Sequence, residues 1–316
     1  MRASVVCVTG GTGFIGRSLV LRLLAEGHRV RVLTRGLGKK LPAGVEIFRG
    51  DLGQPDCFLA DFLQGADLLF HCAAELMNSG RCHAVNVEGT ARLVEAARGR
   101  VKRWVQLSSV GVYGPIHFGI VAEDSPETPV NAYERSKAAS DELVRVAARG
   151  RAFEAVLLRP SNVFGDRMAS NYLRKMCSMI QRGWFIYIGP PGSSVSFVHV
   201  NDVVQALLLC GFLPQAAGRT YNVSGYDSLE SLVECFAATL DCSPPRLRLR
   251  EWPVRLLVAL LGQLPRFPLT TTRLQALTSR VRYDSTRIAN ELGYVPAVDL
   301  VSGMAAFAKQ WRDTEK

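Results

Sequence analysis

The sequence predicts an α/β fold: a doubly wound parallel sheet of Rossmann type, followed by a smaller C-terminal α/β domain. Three observations predict this fold. Apolar, β-branched runs alternate with helical periodicity through the first half of the chain, a glycine-rich segment joins the first run to the first helix, and the alternation weakens after Pro160. We therefore expect a first domain over residues 1–165, to which residues 195–213 return, and a second domain over residues 166–316.

Each element has its own signal in the sequence. Short apolar runs predict strands, and apolar residues that recur every three to four positions predict helices. The expected strands are residues 5–8, 30–33, 45–48, 68–70, 104–107, 155–158 and 194–198. The expected helices are residues 18–25, 87–97, 132–146, 171–181 and 203–211.

The composition is that of a globular protein, with 48% hydrophobic and 21% charged residues among 316. The eight cysteines are scattered without a CxxC pair, so we expect buried thiols in a reducing compartment, with neither a disulfide framework nor a metal site. We find no signal peptide, and no apolar run approaches the ~20 residues that span a bilayer. These observations predict a cytoplasmic protein.

A glycine-rich turn carries the first functional signal. The segment from Gly11 to Gly16 reads G-x-G-x-x-G between an expected strand and an expected helix. Such glycines allow a tight turn and a close backbone approach to pyrophosphate, and the helix N-terminus favours the anion. The segment therefore predicts a dinucleotide-binding first domain. The expected contacts are Gly10, Gly13, Phe14, Ile15 and Gly16.

The end of the second strand predicts which dinucleotide binds. Enzymes that use NAD place a carboxylate there for the ribose hydroxyls, whereas this chain has Thr34 followed by Arg35. A guanidinium pairs with a 2′-phosphate. We therefore expect NADP as the cofactor, with NAD as the alternative.

Three side chains predict hydride chemistry. Tyr133 and Lys137 are four residues apart, so they share one face of a helix. We expect the ammonium of Lys137 to lower the pKa of the Tyr133 phenol, making it a usable acid, and to hold the nicotinamide ribose. Ser109 ends the fifth strand, where its hydroxyl would stabilise charge on a substrate oxygen.

Eight ordered segments show that the chain resembles the extended short-chain dehydrogenase/reductase family, in its nucleotide-sugar epimerase/dehydratase group. They are TGGTGFIG at 9–16, GDL at 50–52, HCAA at 71–74, NVEGT at 86–90, SSVGVYG at 108–114, YERSK at 133–137, RPSNVFG at 159–165 and FVHVND at 197–202. The resemblance covers nearly the whole chain and implies an enzyme. Aligned on it, the catalytic hydroxyl is Ser109 rather than Ser108.

The resemblance also implies further cofactor contacts and a quaternary structure. These contacts are Asp51 and Leu52 beside the adenine, Ala73 and Ala74 beside the pyrophosphate and ribose, Asn86 at the cofactor end of the site, and Pro160 and Asn162 where cofactor and substrate meet. The expected quaternary structure is a homodimer formed through the helices at 87–97 and 132–146.

A departure from the family pattern narrows the reaction. The family's dehydratases follow the catalytic hydroxyl with an Asp-Glu pair, and this chain has Val110 and Gly111 there. Neither residue transfers a proton, so elimination is disfavoured. The preference for NADP favours a reductase, specifically of a 4-keto-hexose linked to a nucleotide or lipid. The alternatives are a nucleotide-sugar 4-epimerase, a hydroxysteroid-dehydrogenase-like enzyme acting on an apolar alcohol, and a non-catalytic NADP sensor or scaffold.

The second half of the chain suggests what the substrate and partners are. The net charge of +10 favours anionic partners, and no basic tract interleaved with aromatics points to nucleic acid. Arg280 and Arg282 are expected to clamp a diphosphate, with Ser109 and Asn162 as further substrate contacts. Arginines also alternate along residues 246–250, as in a strand with three guanidinium groups on one side. The apolar segment 253–264 predicts core, a pocket wall or a peripheral membrane contact.

Overall fold

The computed structural model describes residues 3–36, 41–55, 58–76, 78–165, 168, 171–261 and 269–314. Within these residues, a central sheet of seven parallel strands confirms the predicted fold class. Its strands are β1 (Val5–Thr9), β2 (Arg29–Thr34), β3 (Glu46–Arg49), β4 (Leu68–His71), β5 (Arg103–Leu107), β7 (Glu154–Pro160) and β12 (Thr220–Val223).

The spatial order of the sheet is β3-β2-β1-β4-β5-β7-β12. The chain runs outward from β1 to β3 and then crosses back to β4, so the order reverses between β1 and β4. Parallel sheets of this type bind ligands outside the carboxyl ends of their strands, at such a reversal. The register places Thr9 beside both Leu33 and His71, which brings three strand ends together at this point.

Two layers of helices cover the sheet. One layer consists of α1 (Phe14–Ala25), α7 (Val200–Phe212) and α11 (Thr286–Leu292). The other consists of α2 (Leu59–Leu63), α4 (Gly89–Ala97) and α5 (Ala132–Arg149). Because helices cover both faces, the central strands are apolar on both sides, which is why their sequences read as continuous hydrophobic runs.

A second hydrophobic core lies in the C-terminal half. It is formed by α6 (Asn171–Gln181), α8 (Leu229–Thr239) and α12 (Leu300–Thr314) with short strands. The remaining helices are α3 (Ser79–Cys82), α9 (Glu251–Leu261) and α10 (Thr271–Thr278). Helix α3 leads through the π-helical turn His83–Glu88 into α4. The minor strands are β6 (Phe118–Val121), β8 (Asn162–Phe164), β9 (Tyr187–Ile188), β10 (Ser194–Val195), β11 (Phe197–His199), β13 (Asp227–Ser228), β14 (Arg248–Leu249) and β15 (Arg280–Tyr283).

Two expected strands differ from the structure. Residues 194–198 form two short strands, because β10 pairs antiparallel with β13 while β11 pairs parallel with β8. In residues 246–250 only Arg248 and Leu249 are in a strand, paired with β9. The Arg248 guanidinium pairs with Glu230 at 2.7 Å and lies 4.5 Å from the Tyr187 ring centroid, so its charge is already matched within the fold.

The structure also bears on the cysteines, the apolar segment 253–264 and the possibility of a membrane-spanning helix. Cys57 and residues 262–264 of the apolar segment 253–264 lie outside the described residues. The seven cysteines that are described are free thiols. Among the helices of the described residues, none is both long and apolar enough to pass through a bilayer.

Candidate active site

A cleft of about 720 Å³ opens at the carboxyl ends of β1, β2, β4, β5 and β7. It brings together fifteen of the residues expected to act in catalysis or to contact cofactor. They are Gly10, Gly13, Phe14, Ile15, Gly16, Arg35, Asp51, Leu52, Ala73, Ala74, Ser109, Tyr133, Lys137, Pro160 and Asn162. Residues scattered over more than 150 sequence positions therefore line a single cleft.

The glycine turn at one end of the cleft has no room for side chains. Gly10 has φ +70°, and a Cβ atom there would lie 2.7 Å from the backbone nitrogen of Ala73. A Cβ atom on Gly16 would lie 2.3 Å from the carbonyl oxygen of Gly10. The turn closes with the Gly13 N–H donating to the Gly10 carbonyl at 2.9 Å, and α1 begins at the next residue. This bare backbone before a helix N-terminus fits the pyrophosphate of a dinucleotide.

A buried histidine ties two strand ends and a helix together beneath the turn. Thr9 Oγ1 lies 2.6 Å from His71 Nδ1, and Thr90 Oγ1 lies 3.0 Å from His71 Nε2. Since Thr90 donates to the Asn86 carbonyl, it accepts from Nε2–H, and Nδ1 then accepts the Thr9 hydroxyl proton. Burial and the nearby Lys137 lower the pKa of His71 to about 3, so the ring stays neutral in this chain of hydrogen bonds.

Arg35 lies exposed at the cleft edge, one residue beyond β2. Within the described part of the chain its guanidinium forms neither an ion pair nor a hydrogen bond. Asp51, across the same end of the cleft, pairs with Arg81 at 3.2 Å and accepts from the Gly53 N–H. Arg35 is therefore a cation available to an anionic ligand, while the neighbouring carboxylate already has a partner.

Tyr133 and Ser109 form the reactive pair of the cleft. Both side chains line the cleft, and Ser109 is close enough to act on the pKa of the Tyr133 phenol. Ser109 also accepts from the Gly111 N–H at 3.1 Å as it caps the 3₁₀ turn Val110–Tyr113. Burial raises the pKa of Tyr133 to about 12, although the nearby Ser109 side chain opposes the rise. The phenol is therefore held in its protonated, donor form.

Lys137 lies behind Tyr133, one turn further along α5. It is only 2% exposed, and its Nζ donates to the Leu107 carbonyl at 2.6 Å. Burial lowers the pKa of Lys137. The expectation that Lys137 gives Tyr133 a lowered pKa was wrong for this structure, because burial of the phenol dominates and Lys137 is not among the groups that shift its pKa.

Asn86 supports the cleft wall instead of lining the cleft. Its side chain accepts from the Glu75 N–H at 2.7 Å and donates to the Glu75 carbonyl and to Ser136 Oγ, the latter at 2.9 Å. Asn86 therefore joins the segment after β4 to helix α5. Ala73 and Ala74, which directly precede Glu75, line the cleft.

A buried ion pair beneath the site was not predicted from the sequence. Asp141, one turn beyond Lys137, accepts from Ser108 at 2.6 Å and from Arg159 at 3.3 Å, and both charged side chains are fully buried. Arg159 also pairs with Glu127 and lies 5.0 Å from the Tyr113 ring centroid. The i+4 spacing from Lys137 to Asp141 was the available signal. The pair engages Ser108, which leaves Ser109 as the serine facing Tyr133.

The two arginines expected to bind substrate lie elsewhere on β15. The Arg280 guanidinium donates to the carbonyls of Pro190 and Pro191 and lies over the Phe118 ring. Arg282 lies 5.5 Å from the Tyr226 ring centroid. Among the described residues that line the 720 Å³ cleft, neither arginine is included. Their contact with substrate stays a prediction.

A family model and several relatives match this chain. The model described as the NAD dependent epimerase/dehydratase family matches residues 6–224. A dTDP-glucose 4,6-dehydratase of Streptomyces griseus is 29% identical over 95% of this chain and 91% of its own length. A UDP-glucose 4-epimerase of Mycolicibacterium smegmatis is 29% identical over 97% of this chain and 98% of its own. A 4-hydroxy-2-methyl-3-oxo-4-farnesyl-3,4-dihydroquinoline-1-oxide ketoreductase of Stigmatella aurantiaca is 31% identical over 64% of this chain and 63% of its own length.

A solved structure supports the same comparison over the full length. MoeE5 in complex with UDP-glucose and NAD is 26% identical, with a TM-score of 0.75 over 98% of this chain and 99% of that chain. The named relatives carry out elimination, epimerisation and carbonyl reduction. Similarity alone therefore does not choose among these reactions.

Proposed function

The chain belongs to the NAD dependent epimerase/dehydratase family, and on that basis we propose that it is an NADP-dependent reductase. Its proposed substrate is a keto group of a nucleotide- or lipid-linked sugar, specifically the 4-keto group of a hexose. We propose a cytoplasmic homodimer as the working form. The observation that carries the proposal is Arg35, an exposed cation at the cofactor cleft with no partner among the described residues.

Arg35 supports binding of the 2′-phosphate of NADP, because the carboxylate that an NAD enzyme would have at this position is missing. An enzyme that prefers NAD uses a carboxylate at the end of the second strand, whereas this chain has Thr34 and Arg35 at that position. A guanidinium at this point gains charge-assisted hydrogen bonds to a phosphate, while the NAD ribose hydroxyls find no acceptor of comparable strength. Cells keep NADPH for net reductions, which favours a reductase over an epimerase.

The chain's own residues supply the rest of the chemistry. When bound, the dinucleotide supplies hydride to the carbonyl carbon. Ser109 Oγ accepts from the Gly111 N–H, and its hydroxyl would form a hydrogen bond to the substrate oxygen as negative charge develops there, without transferring a proton. Tyr133 delivers its phenolic proton to the same oxygen. Lys137 donates one N–H to the Leu107 carbonyl, and its two other N–H groups can donate to the ribose and to the tyrosinate.

Among the described residues, the two positions that follow Ser109 have no side chain that could carry a proton for elimination. Val110 is 8% exposed and apolar, and Gly111 has no side chain. The carboxylate next to Gly111 is that of Glu134, whose Oε2 accepts from the backbone N–H groups of Val130 and Asn131 at 2.8 and 3.3 Å. Because Glu134 is engaged in capping α5, it does not replace the acidic pair of the dehydratases.

Two enzymatic alternatives have specific support. The full-length similarity to a UDP-glucose 4-epimerase supports a nucleotide-sugar 4-epimerase, which would return hydride to the same substrate molecule. The partial similarity to a ketoreductase with a farnesyl-bearing substrate name supports an enzyme of an apolar alcohol or ketone. Both would use Ser109, Tyr133 and Lys137 in the same roles. Net NADPH consumption separates the epimerase from the proposal, and the identity of the substrate that is turned over separates the enzyme of an apolar alcohol or ketone.

Cofactor affinity tests the proposal directly. We expect the wild-type protein to bind NADPH more tightly than NADH in a calorimetric titration. Replacing Arg35 by alanine should weaken NADPH binding about 10- to 100-fold, since a charge-assisted contact is lost, and should leave NADH binding unchanged.

The matched control is Arg29→Ala, which removes an exposed arginine from the opposite end of β2. It should change neither dissociation constant. A wild-type preference for NADH, or equal effects of the two substitutions on NADPH binding, would remove Arg35 as the selecting residue and with it the argument for NADP.

A further inference from the structure

Helix α9 (Glu251–Leu261) is apolar on more than the face it buries. Val254 and Val258, 8% and 3% exposed, pack into a small core with Ile188 and Leu274. This inward face is enough to hold an amphipathic helix on the domain. The opposite side of such a helix is normally polar, and here it is not.

A second apolar stripe faces outward from the same helix. Trp252, Leu256 and Leu260, at positions i, i+4 and i+8, are 67%, 57% and 70% exposed, and Leu257 beside them is 45% exposed. Residues at this spacing lie above one another on a single helix face. We call these four residues the α9 stripe. Large apolar side chains that cluster on one exposed face mark an interaction site.

Basic residues lie directly before the stripe. Arg246 and Arg250 are exposed and, within the described part of the chain, form no ion pair. Leu247 and Leu249, which alternate with them, are 58% and 43% exposed. On the helix itself, Arg255 pairs with Glu251, so the helix adds little net charge. The surface therefore combines exposed tryptophan and leucine with uncompensated positive charge.

We propose that the α9 stripe docks this protein on the surface of an anionic lipid bilayer, a property beyond the proposed reaction. Helices that lie in a membrane interface combine leucine and tryptophan on the apolar side with arginine nearby. Trp252 is suited to the headgroup level, and Arg246 and Arg250 are placed to meet anionic headgroups. A helix of eleven residues is too short to span the bilayer and lies in its plane.

Charge favours a bilayer over a second copy of the chain. Self-association through this surface would bring Arg246 and Arg250 of two copies together in a protein of net charge +10. Like charges across an interface oppose association, whereas an anionic lipid surface neutralises them. The bilayer is therefore the occupant that matches both the apolar and the charged part of the surface.

Vesicle co-sedimentation of the full chain tests the proposal. We expect binding to vesicles of phosphatidylcholine mixed with phosphatidylglycerol, and little binding to phosphatidylcholine alone. Replacing Leu256 and Leu260 together by glutamine should reduce the bound fraction about tenfold or more, because their apolar surface no longer enters the interface. Replacing Arg246 and Arg250 by glutamine should also reduce binding, as should added salt.

The matched control replaces Leu21 and Ile47 by glutamine, since both are 46% exposed and lie on other elements. It should bind vesicles like the wild type. Absence of wild-type binding to the anionic vesicles would overturn the proposal. An equal loss of binding in the Leu256/Leu260 variant and the Leu21/Ile47 control would overturn it as well. A light-scattering result in which the wild type is a dimer and the Leu256/Leu260 variant is a monomer would also overturn the proposal, because a second copy would then cover the stripe.

Discussion

Tyr133 is the residue on which the proposed chemistry depends. Burial keeps its phenol protonated, with a pKa of about 12, and Tyr133 lines the same cleft as Ser109. A protonated donor is what the reduction of a carbonyl requires. Lys137 then contributes by stabilising the tyrosinate left after transfer, and not by ionising the phenol beforehand.

We predict that Tyr133→Phe lowers kcat about 10²- to 10⁴-fold while leaving the dissociation constant of NADPH unchanged. The substitution removes the transferable proton and keeps the ring. Stopped-flow measurement of NADPH oxidation with a keto substrate gives kcat, and a fluorescence titration gives the affinity. In the wild type the rate should fall at high pH only, as the phenol ionises near its raised pKa.

Tyr113→Phe is the matched control for this substitution. Tyr113 is fully buried outside the cleft and donates to Asn222 Oδ1 at 2.8 Å. Its loss should lower the free energy of unfolding by about 1 kcal/mol, from the missing hydrogen bond, and leave kcat nearly unchanged. If both variants kept full turnover, the proton would have to come from another group.

The sequence predicts the side chains of this site better than the states in which they are held. Tyr133, Lys137 and Ser109 follow from spacing and order, because helix and strand geometry places them together. The direction of the Tyr133 pKa shift does not, since it depends on how deeply the phenol is buried in the folded chain. The Asp141–Arg159 pair was missed because it joins two elements whose packing no local pattern specifies.

Helix α5 is the element that delivers the two reactive side chains. It begins with a capping box, in which Asn131 Oδ1 accepts from the Glu134 N–H at 2.9 Å and Glu134 accepts in return from the Asn131 N–H. These bonds satisfy free N–H groups in the first turn, where Tyr133 lies. A stable first turn holds the phenol in place opposite Ser109.

We predict that Asn131→Ala destabilises the protein by about 1 kcal/mol, because the cap acceptor is lost from an otherwise intact helix. Urea unfolding followed by circular dichroism measures the change. Asn131→Asp, which keeps the acceptor, should retain nearly the wild-type stability. Equal unfolding midpoints for the alanine and wild-type proteins would show that the cap contributes nothing to holding α5.

At the level of elements, the sequence predicts the first half more closely than the second. Six of the seven strands of the central sheet lie within two residues of their expected positions, because most are buried apolar runs. The seventh, β12 (Thr220–Val223), was not expected from the sequence. The segment 194–198 divides because its two halves pair with different partners, β13 and β8. Such pairings depend on which strands are neighbours in space, and short apolar runs carry no information about that.

For the molecule as a whole, strand order decides where chemistry takes place. The reversal between β1 and β4 gathers the glycine turn, Arg35 and the Ser109–Tyr133 pair around one cleft. The predicted division at residue 165 stays a prediction, as does the homodimer. Strand β12 (Thr220–Val223) joins the edge of the sheet beside β7, so the sheet draws on residues well beyond that division.

The substrate side of the molecule is the part that sequence and structure specify least. The cleft is lined by the residues that we propose for the dinucleotide and the carbonyl, and a reductase and an epimerase would use them in the same way. Arg280 and Arg282, expected to clamp a diphosphate, lie on β15, where Arg280 donates to two backbone carbonyls. The choice between net reduction and epimerisation must therefore come from the fate of the hydride.

Isotope transfer from the cofactor tests the central claim most directly. The purified protein is incubated with a nucleotide-linked 4-keto-hexose and NADPH deuterated at the transferable position, and the products are analysed by mass spectrometry. The account predicts one deuterium in each sugar product and one NADP⁺ formed per product, with both lost in Tyr133→Phe. No NADPH consumption and no deuterium in the sugar, together with interconversion of the two 4-epimeric hydroxy sugars when these are supplied instead, would contradict it.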